Sequence, residues 1–300
     1  MTEKNLIMER AADIPFFILA GGRGVRARPL SDIKPKPLFP LNGTPLLETM
    51  LTQIAGKGLK RGFVNLHHKA EEIEACLASW PHLRLFHEEI LSGSRILRAA
   101  LDCLADLLLV VNGDVFLDIP VQEMWTKLTH MDADGLLLVR PNLDEAYASL
   151  EIDGDLLVGV RPDKERGPKG RLFMYTGAAL LKKRVVEKIE DTSFFDSLKR
   201  HDFKIGVLPY NGPWLDMGTP RLYYKANFDY LKYLGLPPVN VCSRDVSISP
   251  DSRVEDSILW EETTVSGRSC LSHCIVTGRL TLTNAAHHHQ IITPHGLYDL

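Results

Sequence analysis

The sequence has little that would commit it to a membrane, a nucleic acid or a disulfide scaffold. No apolar run approaches the roughly 20 residues that a bilayer-spanning helix needs, and the opening "MTEKNLIMER" carries acidic residues and no hydrophobic signal core, so no membrane partner is expected. A basic surplus is also missing. The 35 Lys and Arg against 38 Asp and Glu give a net charge of -3, whereas proteins that grip nucleic acid by bulk charge carry positive excess; no nucleic-acid partner is expected either. The five cysteines, Cys76, Cys103, Cys242, Cys270 and Cys274, are odd in number and follow no framework spacing. They fit small apolar packing groups in a reducing, cytoplasmic compartment. The expected partners are small molecules.

What is present is a chain of 300 residues, 45% of them hydrophobic, enough for a large core in one or two domains. "FFILA" (16–20), "GFVNL" (62–66) and "LLLVV" (107–111) read as strands apolar on both faces. Helical stretches lie between them: one opened by Thr44-Pro45 with Leu46, Leu47, Met50, Leu51 and Ile54 on one face, one over 70–79 and one over 96–105. This alternation predicts a largely parallel sheet covered on both faces. From Leu136 the strands are expected to be shorter and more varied, up to a helix opened by Thr219-Pro220 and running toward Tyr233.

"GLPPVN" (235–240) then reads as linker, and the pattern changes. Ile248, Val254 and Trp260 are spaced by six, as are Val265 and Leu271, and "EDSILW" (255–260) returns as "SHCIVT" (272–277) after 17 residues. A period near six predicts a hexapeptide-repeat β-helix of about two coils, too short to stand alone and so docked on the first domain or on another subunit. The expected boundaries are a first domain at 14–235, a linker at 236–242, repeats at 243–284 and a polar tail at 285–300.

The densest stretch is "ILAGGRGVRARPLSDIKPKPLFPLNG" (18–43). Gly22-Arg23-Gly24-Val25-Arg26-Ala27 matches the G-x-G-x-x-A of dinucleotide oxidoreductases, but that motif requires a helix to follow at once. Pro29, Pro35, Pro37 and Pro40 follow instead, and proline within a helix costs about 3 kcal/mol. A stiff extended loop over the end of the first strand is expected, with glycine amides open to an anion and Arg23, Arg26, Arg28, Lys34 and Lys36 nearby. Such a loop suits a nucleoside triphosphate.

"LAGGRGVRARPLSDIKPKPLFP" (19–40) resembles the signature L-A-G-G-x-G-T-R-L-x-P-L-T-x-x-x-P-K-P-L-x-P of the sugar-1-phosphate nucleotidyltransferases, departing from it at Val25 and Ala27. The resemblance continues through "VVNGDVF" (110–116), "YTG" (175–177) and "WLDMGTP" (214–220), in order over about two hundred residues. Within that family, "WLDMGTP" and an attached hexapeptide domain are most similar to mannose-1-phosphate guanylyltransferases, while "VNLHH" (64–68) resembles uridylyltransferases acting on amino-sugar phosphates.

The resemblance implies a Rossmann-like α/β fold, a mixed, mostly parallel sheet with helices on both faces, followed by a short left-handed parallel β-helix. It further implies that Leu19, Ala20, Gly21, Gly22, Gly24, Gly93 and Gly113 bind the nucleotide. Arg26 and Lys36 would offset charge on leaving pyrophosphate, and Asp114 and Asp216 would hold Mg²⁺. Lys164 and Lys169 are both candidates for the sugar phosphate, and Gly177 for close backbone approach to the sugar. The implied substrates are an NTP, with GTP favoured, and a sugar-1-phosphate, with mannose-1-phosphate favoured. Homo-oligomerisation through the β-helix is a further expectation.

The residues read on their own agree in part. Asp114 follows a buried strand whose carboxyl end is where open α/β sheets bind ligands, though Asn112-Gly113 is also a turn signal. One stretch departs from the family: "ILSGSRILRAA" (90–100) keeps Gly93 but sets Ser92, Ser94, Arg95 and Ile96 where small residues are usual. Larger side chains there are expected to narrow the pocket, which leaves a nucleotide-sugar-binding sensor as an alternative. Cys270, His273 and Cys274 do not make a closed zinc site by ligand count, and His287, His288 and His289 fall in the expected tail.

Overall fold

The computed structural model describes residues 13–143, 147–161, 172–190 and 193–300. Its centre is a nine-stranded sheet formed by β1 (Phe16–Leu19), β2 (Gly62–Leu66), β3 (Leu83–His87), β4 (Leu107–Asn112), β5 (Gly135–Pro141), β6 (Ser149–Asp153), β7 (Leu156–Arg161), β8 (Phe173–Lys182) and β9 (Ile205–Pro209). The spatial order is β3-β2-β1-β4-β8-β5-β9-β7-β6. The chain leaves β1 to one side for β2 and returns on its other side as β4, both parallel to it. That reversal makes the carboxyl ends of β1 and β4 the switch point of the sheet.

Alternation along each strand divides the core between the two faces. Phe17, Phe63, Leu108 and Val110 pack on one face with Leu97, Ala100, Val185 and Leu198. Ile18, Val64, Leu109 and Val111 pack on the other with Leu47, Met50, Leu51, Ile54 and Ile73. The second face is covered by helices α1 (Leu46–Gly56), α2 (Ala70–Leu77), α3 (Val121–His130) and α6 (Pro220–Tyr233), the first by α4 (Lys183–Glu187) and α5 (Phe194–Lys199). The run 93–103, expected as an α-helix over 96–105, is a 3-10 helix.

Several expectations change. The sheet is mixed but not mostly parallel: β4–β8, β8–β5, β9–β7 and β7–β6 all run antiparallel. A parallel return needs a crossover of a dozen or more residues, and the Asp153-to-Leu156 connection, turned by Gly154 at positive φ, is far shorter. Strands after Leu136 are not uniformly shorter, since β8 has ten residues. Thr44-Pro45 does not cap α1 through a side chain; it pairs with Pro40–Leu41, and the helix begins at Leu46. The loop after β1 is not extended, because its prolines separate three short helical turns, Val25–Ala27, Leu30–Ile33 and Lys36–Leu38.

The C-terminal residues form three parallel sheets. Val241, Ile258, Ile275 and Ile291 stand in register in one, Ser247, Thr264 and Thr281 in the second, and Arg253, Cys270 and Ala286 in the third. The step is 17 residues, shortened to 16 at the last coil. Corner residues take the left-handed backbone region at the same spacing, as in Asp245, Glu262 and Arg279. The stack therefore begins inside the expected linker, at Val241, and continues through the expected tail to an antiparallel strand at Gly296–Asp299. Nearly three coils are present rather than two, because the last coil is one residue shorter and its apolar positions, Ile291 and Ile292, fall off the strict period.

This stack docks on the first domain. Trp260 is wholly buried at the seam, its ring centroid 5.5 Å from that of Phe39, and its Nε1 donates to the Tyr223 hydroxyl at 2.9 Å. Tyr223 in turn donates to the Pro40 carbonyl at 2.8 Å. Beside it Lys34, from the proline-rich loop, forms an ion pair with Glu261.

Candidate active site

A cleft of about 400 Å³ opens at the switch point. All seven residues expected to bind nucleotide line it, namely Leu19, Ala20, Gly21, Gly22, Gly24, Gly93 and Gly113, together with Lys36 and Asp114. The glycines are there for space. A Cβ on Gly113 would stand 2.7 Å from the Leu19 carbonyl oxygen, and one on Gly21 would stand 2.7 Å from Asn65 Nδ2, while Gly24 adopts φ +64. Gly22 also lines the cleft, and a Cβ there would meet nothing within 4 Å.

Lys36 is 8% exposed, and its Nζ lies 3.1 Å from Asp114 Oδ2. A buried ammonium requires such a partner. Asp216 does not itself line the cleft, but its backbone is brought beside Asp114: Trp214–Asp216 pairs antiparallel with Val115–Leu117, setting Asp216 opposite Val115. Met217 N donates to the Asp114 carbonyl at 3.2 Å, which locks the two segments together. The Asp216 carboxylate accepts from Gly218 N at 2.6 Å and from the Tyr147 hydroxyl. The arrangement offers two aspartates on adjoining segments, Asp114 in a turn and paired with lysine, Asp216 at a strand end and oriented by two donors.

The remaining candidates fare differently. Arg26 is exposed on the Val25–Ala27 turn and does not line the cleft. Gly177, at φ +96, lies behind the cleft, where a Cβ would stand 3.1 Å from the Asn112 side chain. Lys164 and Lys169 lie outside the described residues. Of the stretch 92–96, Gly93 and Ser94 line the cleft, whereas Arg95 is exposed and Ile96 packs toward the core around Leu97. Cys270 is exposed whereas Cys274 is buried, so the two do not converge on a site with His273.

Sequence reading missed Asn65, Leu91 and Phe194, which also line the cleft. Asn65 is the most informative of these. Its Oδ1 accepts from Ala20 N at 2.8 Å and its Nδ2 donates to Glu88 at 2.6 Å, while Glu88 accepts from Ser92 N at 2.9 Å. A single amide thus ties the start of the glycine loop to the opposite rim. The signal was available in "GFVNL", where one polar residue interrupts a strand otherwise apolar throughout. Tyr147 and Arg140 were missed as well; the Tyr147 ring packs edge-on to Trp214, and the Arg140 guanidinium lies 5.0 Å from the Trp214 ring centre. Burial pushes the nearby Tyr210 hydroxyl up to about 12, so it stays protonated and donates to the Pro213 carbonyl just before Trp214.

A mixed α/β sheet with a glycine-lined cleft at its switch point, a buried lysine and an aspartate beside it has the geometry that suits a phosphate-bearing ligand. Residues 16–158 match the nucleotidyl transferase family model. Over those residues the chain accordingly carries a nucleotidyl transferase domain. It is 27% identical to a protein of Sulfolobus acidocaldarius provisionally named mannose-1-phosphate guanyltransferase, over 87% of this chain and 75% of that one. It is 27% identical to the mannose-1-phosphate guanylyltransferase of Mycobacterium tuberculosis, over 74% and 66%. The bifunctional protein GlmU of Methanocaldococcus jannaschii is 25% identical over 73% of this chain, but the match spans only 53% of that protein. Among solved structures, HddC from Yersinia pseudotuberculosis complexed with GMP-PN shares the fold, with TM-score 0.62 and 23% identity over 72% of this chain and 99% of that one. Among the described residues, no helix is long and apolar enough to cross a membrane.

Proposed function

We propose that the chain joins a nucleoside triphosphate to a sugar-1-phosphate, releasing pyrophosphate and a nucleotide-sugar, with GTP and mannose-1-phosphate as the preferred pair. One observation carries this reading: a single cleft collects the glycine loop with Lys36, Gly93 and Asp114 from three separate stretches of the sequence. In the reaction an oxygen of the sugar-1-phosphate attacks the α-phosphorus, the bond to the bridging oxygen breaks, and pyrophosphate leaves with that electron pair. No covalent intermediate on the protein is required, since positioning and charge stabilisation dominate such transfers.

The chain's own groups divide that work. Backbone amides from Gly21 to Gly24 face the phosphates, and Lys36 supplies the buried positive charge beside them. Asn65 fixes the approach of Ala20. Asp114 and Asp216 are the residues that would hold Mg²⁺, and their chemistry fits: the ion takes hard oxygen ligands, commonly one or two carboxylates with substrate phosphates completing the shell. When bound, the ion would neutralise developing charge and polarise the α-phosphate. Tyr147 and Gly218 orient the Asp216 carboxylate. Arg26, on the exposed turn at the mouth, is proposed to meet the pyrophosphate end, and either Lys164 or Lys169 to meet the sugar phosphate.

The GTP and mannose-1-phosphate preference is supported by the two mannose-1-phosphate relatives. A uridylyltransferase on an amino-sugar phosphate is the second reading, favoured by the GlmU relative. The nucleotide-sugar-binding sensor keeps one of its grounds, Ser94, which lines the cleft, and loses the others, since Ser92, Arg95 and Ile96 do not line it. The 17-residue coils with left-handed corners are proposed to be a left-handed β-helix of hexapeptide type through which copies of the chain assemble. Pyrophosphate release, measured with each NTP against each of several sugar-1-phosphates, separates the readings: GTP with mannose-1-phosphate should lead. A lead by UTP with N-acetylglucosamine-1-phosphate would establish the second.

A further inference from the structure

Outside the cleft, the C-terminal stack gathers imidazoles at one corner. Asp256, His273 and His289 occupy the same corner of three successive coils, and each takes the left-handed backbone region, at φ +43, +55 and +52. The coils are tied there by backbone hydrogen bonds, His273 N to the Glu255 carbonyl at 3.1 Å and His289 N to that of Ser272 at 3.0 Å. His288 ends the strand just before His289 and turns to the same side. Ring centres of His273 and His289 are 4.6 Å apart, those of His288 and His289 4.2 Å, and those of His273 and His288 5.6 Å. One nitrogen from each ring lies within 4.8 Å of the others.

We infer that His273, His288 and His289 form a binding site for a borderline divalent transition cation such as Zn²⁺ or Ni²⁺, clamping the last coil to the one before it. Imidazole nitrogen suits these ions, and hard cations such as Mg²⁺ do not compete for it. Three histidines with a fourth position left to water is an established coordination pattern, with metal–nitrogen distances of about 2.0 to 2.1 Å. Nitrogens so bound stand about 3.3 Å apart in a tetrahedral shell, a contraction toward the half-buried His273 that the exposed His288 and His289 rings would make. The surroundings already orient His273: its Nδ1 is hydrogen-bonded to Ser272 Oγ at 2.9 Å, and its Nε2 lies 3.7 Å from the Asp256 carboxylate. A hydrogen-bonded second nitrogen is the usual companion of a metal-bound histidine. His287 is not part of the cluster, since its Nδ1 meets Gln290 Oε1 at 2.7 Å.

The defining feature is that one ligand comes from the preceding coil, 15 residues before His288. A plain run of histidines in a tail would bind metal without His273. The test is calorimetric titration of Ni²⁺ and of Zn²⁺ into the full-length chain without an affinity tag, in excess Mg²⁺ to occupy the cleft. Wild type should bind one ion per chain. His273→Asn, which keeps a residue tolerant of the left-handed region, should weaken binding more than about tenfold, the loss that even outer partners of metal ligands produce; His287→Asn should not. His289→Asn is the second variant should His273→Asn fail to fold. The metal should also raise the Tm of wild type and not of His273→Asn. Equal binding by wild type and His273→Asn, or no binding by wild type, would overturn the site.

Discussion

Lys36 Nζ and Asp114 Oδ2 are 3.1 Å apart, although 78 positions separate the two residues in the chain. The pair joins the proline-rich loop after β1 to the end of β4, across the point where the sheet reverses direction. It leaves the lysine buried with a compensating charge, and it places both signs of charge at one end of a cleft lined with glycine. A triphosphate with a bound cation presents the same two signs, so under the proposed function the pair would be shared with substrate.

Lys36→Ala should therefore lower turnover by about 10²- to 10³-fold, the range found when one preorganised charge-stabilising donor is removed. Asp114→Asn should cost at least as much while the protein stays folded. Pyrophosphate release and far-ultraviolet circular dichroism on the same samples check both, and full activity in either variant would remove that residue from the reaction.

Tyr147 holds one oxygen of Asp216. Tyr147→Phe should raise the Mg²⁺ concentration needed for half-maximal activity by about 10- to 100-fold, as loss of an outer hydrogen bond does at other metal sites. Activity at saturating Mg²⁺ should recover. A lowered maximum with no change in Mg²⁺ dependence would assign Tyr147 to something other than orienting Asp216.

Trp260 joins the C-terminal stack to the first domain. Trp260→Ala should destabilise the chain by about 3 to 5 kcal/mol in urea unfolding, the usual cost of deleting a large buried aromatic. Trp260→Phe keeps most of the packing but loses the bond to Tyr223, and should cost about 1 kcal/mol for that bond. If the alanine variant unfolds like wild type, the seam contributes nothing to stability.

Glu261 gives a pH dependence. Burial raises its pKa, but the hydrogen bond and charge of Lys34 outweigh burial and hold it below the ordinary 4.5. A carboxylate with a depressed folded pKa stabilises the fold fully above its unfolded value, and that contribution is lost as pH falls through the folded one. Thermal unfolding from pH 6 downward should show Glu261→Gln losing less stability than wild type below about 4.5. Parallel curves would mean that the Lys34 pair contributes nothing at the seam.

The sequence made the cleft more legible than the sheet. The glycines, Lys36 and Asp114 could be read because each answers a local demand, close backbone approach or a charge at a strand end, and such demands leave fixed residue types at fixed spacing. The antiparallel half of the sheet could not, because β5 and β8, which pair antiparallel, are as apolar as parallel strands and nothing in Leu136 to Val139 records which neighbour they join. Asn65, Tyr147 and Arg140 act through partners distant in sequence, so their roles appear only when the chain is folded. The six-residue period found the C-terminal coils but not their ends: Val241 lies in what reads as linker, and His288 and His289 in what reads as tail, until the 16-residue last step is seen.

The most direct measurement is pyrophosphate release with Mg²⁺, GTP and mannose-1-phosphate, for wild type and Asp114→Asn in parallel, extended to the other NTPs and sugar-1-phosphates. Release by wild type that depends on both substrates and falls at least about 10²-fold in the variant is the predicted result. Folded wild-type protein that releases no pyrophosphate with any pair, or a variant as active as wild type, would contradict it.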